Sequence, residues 1–443
     1  MERTLNIETL NNIGKEVEIK GWIKARRDMG KIVFLDTRDR SGLLQIVIVP
    51  KLLDDASRAV LEKLRPEFCL SIVGTINKRE KPNLNLETGE VELLAKQIDI
   101  LAEAEVLPWE LGAEMKMDTF LDHLPLNYRD DRNRAIFKIQ AEIVKTFRDY
   151  LVAQGFTEVQ FPKLISSAPE GGANVFTLDY FGAKAFLAQS PQLYKQIMVN
   201  VFERVFCMGT VFRAEKHNTN RHINEFTTLD FEMGFIEDHR NVLKVQLDVL
   251  RAIIKNLQEK CSAEFELLKA TFPNLPINVP ILKLREAQAL IKKEFGEDCT
   301  KEPDLEPHQE RWLGEYAKRT WNSDFVVVTH YPTEKRPFYT MDDPEDIGFT
   351  KSFDILFRGC EIVSGGQRVN DYKALVEKIK KFGLKPQDFS FYLEAFKYGM
   401  PPEGGAGLGL ERFTWQMLGL DNIKQATLFP RDQGRIDLPL SGT

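Results

Sequence analysis

Through much of the first hundred residues, hydrophobic and polar positions alternate with period two. Val17, Ile19, Gly21 and Ile23 interleave with Glu18, Lys20 and Trp22, the pattern of a strand with one face in a core. Lys31 to Thr37, Leu43 to Val49, Phe68 to Ile76 and Gly89 to Leu101 read as strands too, and Arg38-Asp39-Arg40-Ser41-Gly42 makes a turn between two of them. A helical stretch, Leu53 to Leu64, separates the third strand from the fourth. Five short strands interrupted by one helix predict an OB-fold β-barrel over residues 1–104. A polar, proline-containing connection follows from Glu103 to Arg134, so 105–134 is expected to be a hinge.

The period changes at Ala135. Ile136, Ile139, Ile143, Phe147 and Leu151 share one face of a helix over 136–153. Gly155 to Pro162 then reads as a strand closed by proline. Strands are expected at Phe325 to Thr329 and across Asp354 to Val363, and helices at Asp371 to Lys381 and Pro386 to Tyr398. Residues 240–322 are charged and helical, with little evident site chemistry. The expected fold is α/β multidomain, with a second domain over 135–443 built on a sheet flanked by helices.

Composition narrows the class. A chain of 443 residues with 43% hydrophobic and 28% charged residues is that of a globular protein holding several cores. No apolar run is long enough to span a bilayer, and the N-terminus lacks a basic region followed by an apolar stretch, so a cytoplasmic location is expected. Five scattered cysteines show neither zinc nor disulfide spacing. The net charge of −6 argues against indiscriminate nucleic-acid binding, yet residues 1–104 hold 17 basic against 17 acidic residues. The acidic excess lies in the remainder, which leaves the barrel as the easier surface for a phosphate backbone.

Two segments carry the chemistry. Residues 212–226 read Phe-Arg-Ala-Glu-Lys-His-Asn-Thr-Asn-Arg-His-Ile-Asn-Glu-Phe, and 404–412 read Gly-Gly-Ala-Gly-Leu-Gly-Leu-Glu-Arg, about 190 residues later. Between them, Asp354 and Glu361 stand seven apart in a strand–turn–strand ending Ser364-Gly-Gly-Gln-Arg368. Hard oxygen ligands of that kind suit magnesium bridging nucleotide phosphates. Together these segments resemble motifs 2 and 3 of the class II aminoacyl-tRNA synthetases, and the helix, strand and Pro162 resemble motif 1, which in that family builds a homodimer interface. The resemblance covers essentially the whole chain.

The resemblance implies a role for each residue. Arg213 would grip the α-phosphate and the substrate carboxylate, and Arg412 would contact the far phosphate. Phe226 would stack on adenine, Glu215 hold its exocyclic amine, and Arg221 and His222 lie along the phosphates. Gly405, Gly407 and Gly409 would let backbone approach the nucleotide. Asp354, Glu361 and Ser364 would hold Mg2+. Displacement of pyrophosphate needs positioning and charge neutralisation rather than a protein nucleophile.

The compact length and the stretch Phe391-Tyr-Leu-Glu-Ala-Phe-Lys-Tyr-Gly-Met-Pro-Pro402 resemble the archaeal-type aspartyl branch. In aspartyl members, the Lys of Gln192-x-x-Lys195 and the Arg matching Arg368 hold the side-chain carboxylate, Asp230 serves the α-ammonium, and Glu170 sits on a mobile loop. Two cations in one pocket are costly without an anion, so they point to an acidic amino acid, L-aspartate. In the barrel, Arg26, Phe34, Gln45 and Glu92 match anticodon-reading positions of aspartyl, asparaginyl and lysyl members, although Phe34 also suits barrel core. Lys24 departs from the Trp often found in archaeal members strict for tRNA(Asp), which leaves acceptance of tRNA(Asn) open and with it a functional link to an amidotransferase. Rival readings are an asparagine–tRNA ligase, disfavoured by Lys195 and Asp230; an amide-forming asparagine synthetase, disfavoured by the barrel; and a non-catalytic RNA-binding paralogue, disfavoured by the retention of Arg213, Glu361 and Arg412.

Overall fold

The computed structural model describes residues 1–166, 175–216 and 219–440. By internal contact the chain divides into two units, Met1–Glu110 and Leu111–Thr443. The first is a closed barrel of β1 (Glu16–Asp28), β2 (Val33–Asp39), β3 (Gly42–Ile48), β4 (Cys69–Lys78) and β5 (Val91–Ala102), in the order β1-β2-β3-β5-β4. Every ladder is antiparallel except β3–β5. Alternate residues such as Ile19, Ile23, Leu35, Ile46, Leu70, Ile72 and Leu93 fill its interior. Helix α1 (Asp55–Val60) lies between β3 and β4, capped by the Asp54 side chain accepting from the Ser57 amide. It is shorter than the periodicity suggests, because a 3-10 turn over Leu61–Lys63 ends it.

The second unit takes in most of the stretch expected as a hinge. That stretch carries α2 (Met117–Asp122) and α3 (Leu124–Asn127). They are tied to the far end of the chain by the Asp122–Arg435 ion pair (2.5 Å) and by Tyr128 donating to the carbonyl of Thr427. Helix α4 (Asp131–Ala153) starts five residues earlier than its apolar pattern, because the Asp130 side chain accepts from the amides of Arg132 and Asn133. Ile136, Ile139, Ile143, Phe147 and Leu151 are all buried in the main core. The strand expected over 155–162 forms a ladder only at β6 (Thr157–Glu158), which pairs in parallel with β10. A small sheet not foreseen follows, made of β7 (Leu164–Ile165), β8 (Thr177–Tyr180) and β9 (Ala183–Leu187).

Next come α5 (Gln192–Phe202), β10 (Arg204–Phe212), β11 (Glu225–Gly234), α6 (His239–Lys260), α7 (Ser262–Leu268), β12 (Ile281–Lys283), α8 (Leu284–Glu294) and α9 (Pro307–Trp321). The chain ends through β13 (Phe325–Thr329), β14 (Ser352–Phe357), β15 (Cys360–Gln367), α10 (Tyr372–Lys381), α11 (Ser390–Lys397), β16 (Glu403–Gly409) and α12 (Leu410–Leu418). The main sheet has eight strands in the order β12-β13-β14-β15-β16-β11-β10-β6. Its body, β13 to β10, is antiparallel, and only the outer pairs β12–β13 and β6–β10 are parallel. Among the described residues no helix is long and apolar enough to cross a membrane, and all five cysteines are free.

Helix α9 is clamped on the turn that joins β14 to β15. Arg358 and Gly359 both take positive φ there (47° and 76°), as a two-residue hairpin turn demands. A Cβ on Gly314 would lie 2.3 Å from the Gly359 nitrogen. Helix propensity alone favours alanine over glycine by about 1 kcal/mol, but that contact is with backbone and cannot relax cheaply. Gly314→Ala is therefore expected to destabilise the catalytic unit by about 1–3 kcal/mol, read as a lowered midpoint in thermal unfolding. An unchanged or raised midpoint would show that α9 and the turn are not in forced contact.

Candidate active site and nucleic-acid interface

The floor of the site follows from strand register. Asp230 on β11 lies opposite Gly407 on β16, Gly407 opposite Ser364 on β15, and Ser364 opposite Asp354 on β14. Residues facing each other across a ladder share a sheet face, as do residues two apart. Thr228 and Gly409 form the row on one side and Glu232 and Gly405 the row on the other. Alternate β16 residues therefore present glycine to the site, while Ala406 and Leu408 face the core. Three strand spacings separate Asp230 from Asp354, about 14 Å, with a cavity of about 300 Å³ over the row.

Glycine is needed here for a reason other than nucleotide approach. A Cβ on Gly405 would sit 2.1 Å from Oε2 of Glu232, and one on Gly407 2.8 Å from Oδ1 of Asp230. Only Gly409 has open space, its nearest contact being 3.9 Å away.

At one end of the row lies a buried charge cluster. Lys195, 1% exposed, rises from α5 to place its ammonium 2.8 Å from Asp230 and 3.0 Å from Glu232. Arg368, just past β15, donates from Nε to Glu232 at 2.7 Å and from a terminal nitrogen to the Gly405 carbonyl at 2.8 Å. Gln192 joins them, its carbonyl 3.4 Å from Arg368. Burial opposes the charge on Lys195, but Asp230 and Glu232 hold its pKa above the usual lysine value. Burial likewise opposes ionisation of Glu232, which Arg368 and Lys195 keep below the usual carboxylate range. The expectation of two cations waiting for an anion is corrected: each already has a protein carboxylate, and Glu232 was missed.

At the other end, Arg213 stands over the Phe226 ring at 5.2 Å. Asn224 fixes the loop by donating to the carbonyls of Arg213 and Glu215, and Glu215 sits 3.3 Å from His222. Arg412 on α12 reaches the Glu361 carbonyl at 3.2 Å. Glu411, not singled out from sequence, accepts the Thr227 amide with both oxygens at 3.0 Å and is pushed by burial to about 7. Arg221 pairs at 3.0 Å with Glu310 of α9, so the helical segment thought poor in site chemistry contributes a carboxylate. Burial and the nearby Glu361 push Glu310 up to about 7.

Asp354 and Ser364 are bridged by Arg336, which donates to them at 2.6 and 3.0 Å. Nothing in the loop sequence around Arg336 singled it out. The second oxygen of Asp354 is buried without a hydrogen-bond partner, and burial together with Asp354 holds Glu361 above its usual range. Two crowded carboxylates with a spare oxygen fit a divalent cation. Among the described residues there is no cluster of three or more His, Cys, Asp or Glu able to enclose one, so its other ligands would come from phosphates and water. Glu170 lies outside the described residues.

The barrel carries a separate patch. Phe34 faces outward between the buried Val33 and Leu35, so it is not barrel core. Beside it lie Arg27, paired with Asp36, and Gln45, whose amide donates to Glu92 at 2.9 Å. Arg26 does not join this patch. Strand alternation turns it to the carbonyls of Leu61 and Leu64, at 2.8 and 2.7 Å, while Arg27 lies opposite Phe34.

The pattern of the tRNA synthetases class II (D, K and N) matches residues 116–433, and that of the OB-fold nucleic acid binding domain matches 17–101. The chain belongs to the class II tRNA synthetases. It is 43% identical to the aspartate–tRNA(Asp/Asn) ligase of Thermus thermophilus over 96% of this chain and 97% of that one. It is 39% identical to the aspartate–tRNA(Asp) ligase of Thermococcus kodakarensis, over 97% of both. Its fold is similar to that of the asparaginyl-tRNA synthetase of Pyrococcus horikoshii complexed with asparaginyl-adenylate, with a TM-score of 0.91 at 30% identity, covering 99% of this chain and 100% of that one.

The glycine stripe of this synthetase gives a test. Gly405→Ala must displace Glu232 and with it Arg368. A loss of tenfold or more in amino-acid-dependent ATP–pyrophosphate exchange is expected, about 1.4 kcal/mol, with the ATP KM little changed. Normal exchange would mean the carboxylate has room that the register denies it.

Proposed function

We propose that the chain is an aspartate–tRNA ligase: it activates L-aspartate with ATP and transfers the aspartyl group to the 3′ end of tRNA(Asp) and tRNA(Asn). The observation that carries the amino-acid choice is the Lys195–Asp230–Glu232–Arg368 cluster, which is balanced before substrate enters. The α-ammonium of aspartate takes Asp230, and its side-chain carboxylate takes Lys195 and Arg368, so charges exchange partners and none is stranded. Asparagine supplies the ammonium without the carboxylate, so three cations would then share the two carboxylates Asp230 and Glu232.

Arg213 then orients the α-carboxylate toward the α-phosphorus. A carboxylate oxygen attacks and pyrophosphate leaves, its charge met by Arg412, Arg221 and His222. Mg2+ held by Asp354 and Glu361, with Ser364, would neutralise phosphate charge. The 3′-terminal ribose hydroxyl next attacks the aspartyl carbonyl, and AMP leaves. Phe34, Gln45 and Glu92, with Arg27 beside them, bind unstacked anticodon bases by stacking and edge hydrogen bonds, and the enzyme works as a homodimer.

ATP–pyrophosphate exchange with each amino acid tests the substrate. Exchange should require aspartate, and Lys195→Met should lower the aspartate kcat/KM by about 3–5 kcal/mol, the usual effect of stranding one member of a buried ion pair. Equal rates with asparagine would contradict the assignment.

Acceptance of both tRNAs rests on Lys24, an exposed cation on β1 that offers phosphate contact rather than a shaped barrier. It implies an amidotransferase that converts the aspartyl group on tRNA(Asn). Aspartylation of the two transcripts at one salt concentration should differ by less than about 100-fold, or about 2.7 kcal/mol. A larger preference for tRNA(Asp) would reject the relaxed choice.

A further inference from the structure

Behind the charge cluster lies a third carboxyl that the reaction does not touch. Glu403, at the start of β16, is 0% exposed. It shares a sheet face with Gly405, which makes its carboxyl a diagonal neighbour of Glu232 across the ladder. The donors around them are already assigned. Gln196 turns its amide nitrogen to Oε1 of Glu403 at 2.6 Å, because its carbonyl takes Gln192 at 3.0 Å and the Tyr392 hydroxyl at 3.1 Å. Arg368 and Lys195 supply the two oxygens of Glu232. Oε2 of Glu403 is left fully buried with no hydrogen-bond partner.

An ionised carboxylate in that position would face Glu232 with no donor between them, and an orphaned buried acceptor is costly. One proton resolves both faults. We propose that Glu403 is held as a neutral acid that donates its proton to Glu232, and that it acts as a positioning residue setting the charge of the amino-acid pocket. With Glu403 neutral, the two cations and two anions of the cluster balance, and an aspartate side chain meets no excess negative charge. With Glu403 ionised the pocket would carry one extra negative charge beside Arg368 and repel that carboxylate. Burial and the neighbouring Glu232 push the Glu403 acid well above its usual range, in accord with this geometry.

The inference rests on the aspartate reading only for its consequence. The proton itself is tested by infrared spectroscopy of the full-length protein carrying carboxyl-labelled glutamate, at about pH 9, above the usual range of exposed carboxyls. Glu310 and Glu411, each near 7, are then ionised. A protonated glutamate band should persist in the wild type and disappear in Glu403→Gln; its absence from the wild type would overturn the proposal.

Kinetics test the consequence. Glu403→Gln keeps a neutral donor to Glu232 and an acceptor for Gln196, so the aspartate KM and kcat should stay within about threefold of wild type. Glu403→Met removes the donor and should raise the aspartate KM at least tenfold, with the ATP KM unchanged. A tenfold change in Glu403→Gln, or none in Glu403→Met, would overturn the positioning role. If the wild type instead used asparagine as readily as aspartate, the substrate reading would fail while the infrared result stood.

Discussion

The site depends on burying two cations and two carboxylates together in the sheet. Isolated, any one of Lys195, Arg368, Asp230 or Glu232 would be too costly to remove from water. Together they satisfy one another and hold their side chains in fixed positions before substrate arrives. On the proposed reading, an amino acid is recognised by exchange of ionic partners rather than by filling a vacant charged pocket, as reading the cations alone suggests.

Register places the cluster. Because Asp230, Gly407, Ser364 and Asp354 fall in one row of adjacent strands, the Lys195–Arg368 cluster at one end and the Asp354–Glu361 pair at the other lie on a single floor. The glycines of β16 keep that floor low enough for carboxylates to cross it. The cations arrive from outside the row: Lys195 from α5, Arg368 from just beyond β15, Arg336 from the loop before β14, and Arg412 from α12. Catalysis by positioning and charge neutralisation needs such a division, with anions and space on the sheet and cations on the elements around it.

Much of this was legible in the sequence. Period-two alternation located the barrel strands, and the period of α4 identified its buried face residue by residue, because both patterns report a single environment along an element. Arg213, Phe226, Asp354, Glu361, Lys195 and Arg368 could be picked out because motif spacing ties them to chemistry. Glu232, Glu403, Glu310 and Arg336 could not. Their importance comes from partners 18 to 207 residues away in the chain, across contacts between separate elements that no local pattern encodes. The exchange of Arg26 for Arg27 shows the same limit at its smallest scale. Adjacent residues on a strand face opposite sides, so a one-residue difference decides between reaching the carbonyls of Leu61 and Leu64 and standing beside Phe34.

The proposed recognition requires Lys195 and Glu232 to act as one unit in reading the substrate. A double-mutant cycle measures this most directly, with Lys195→Met, Glu232→Gln and the double variant compared by aspartate kcat/KM in ATP–pyrophosphate exchange. Strong non-additivity is expected: the double variant should lose at least about 1 kcal/mol less than the sum of the single losses, since each single change strands the other charge. Additivity within about 0.5 kcal/mol would contradict it.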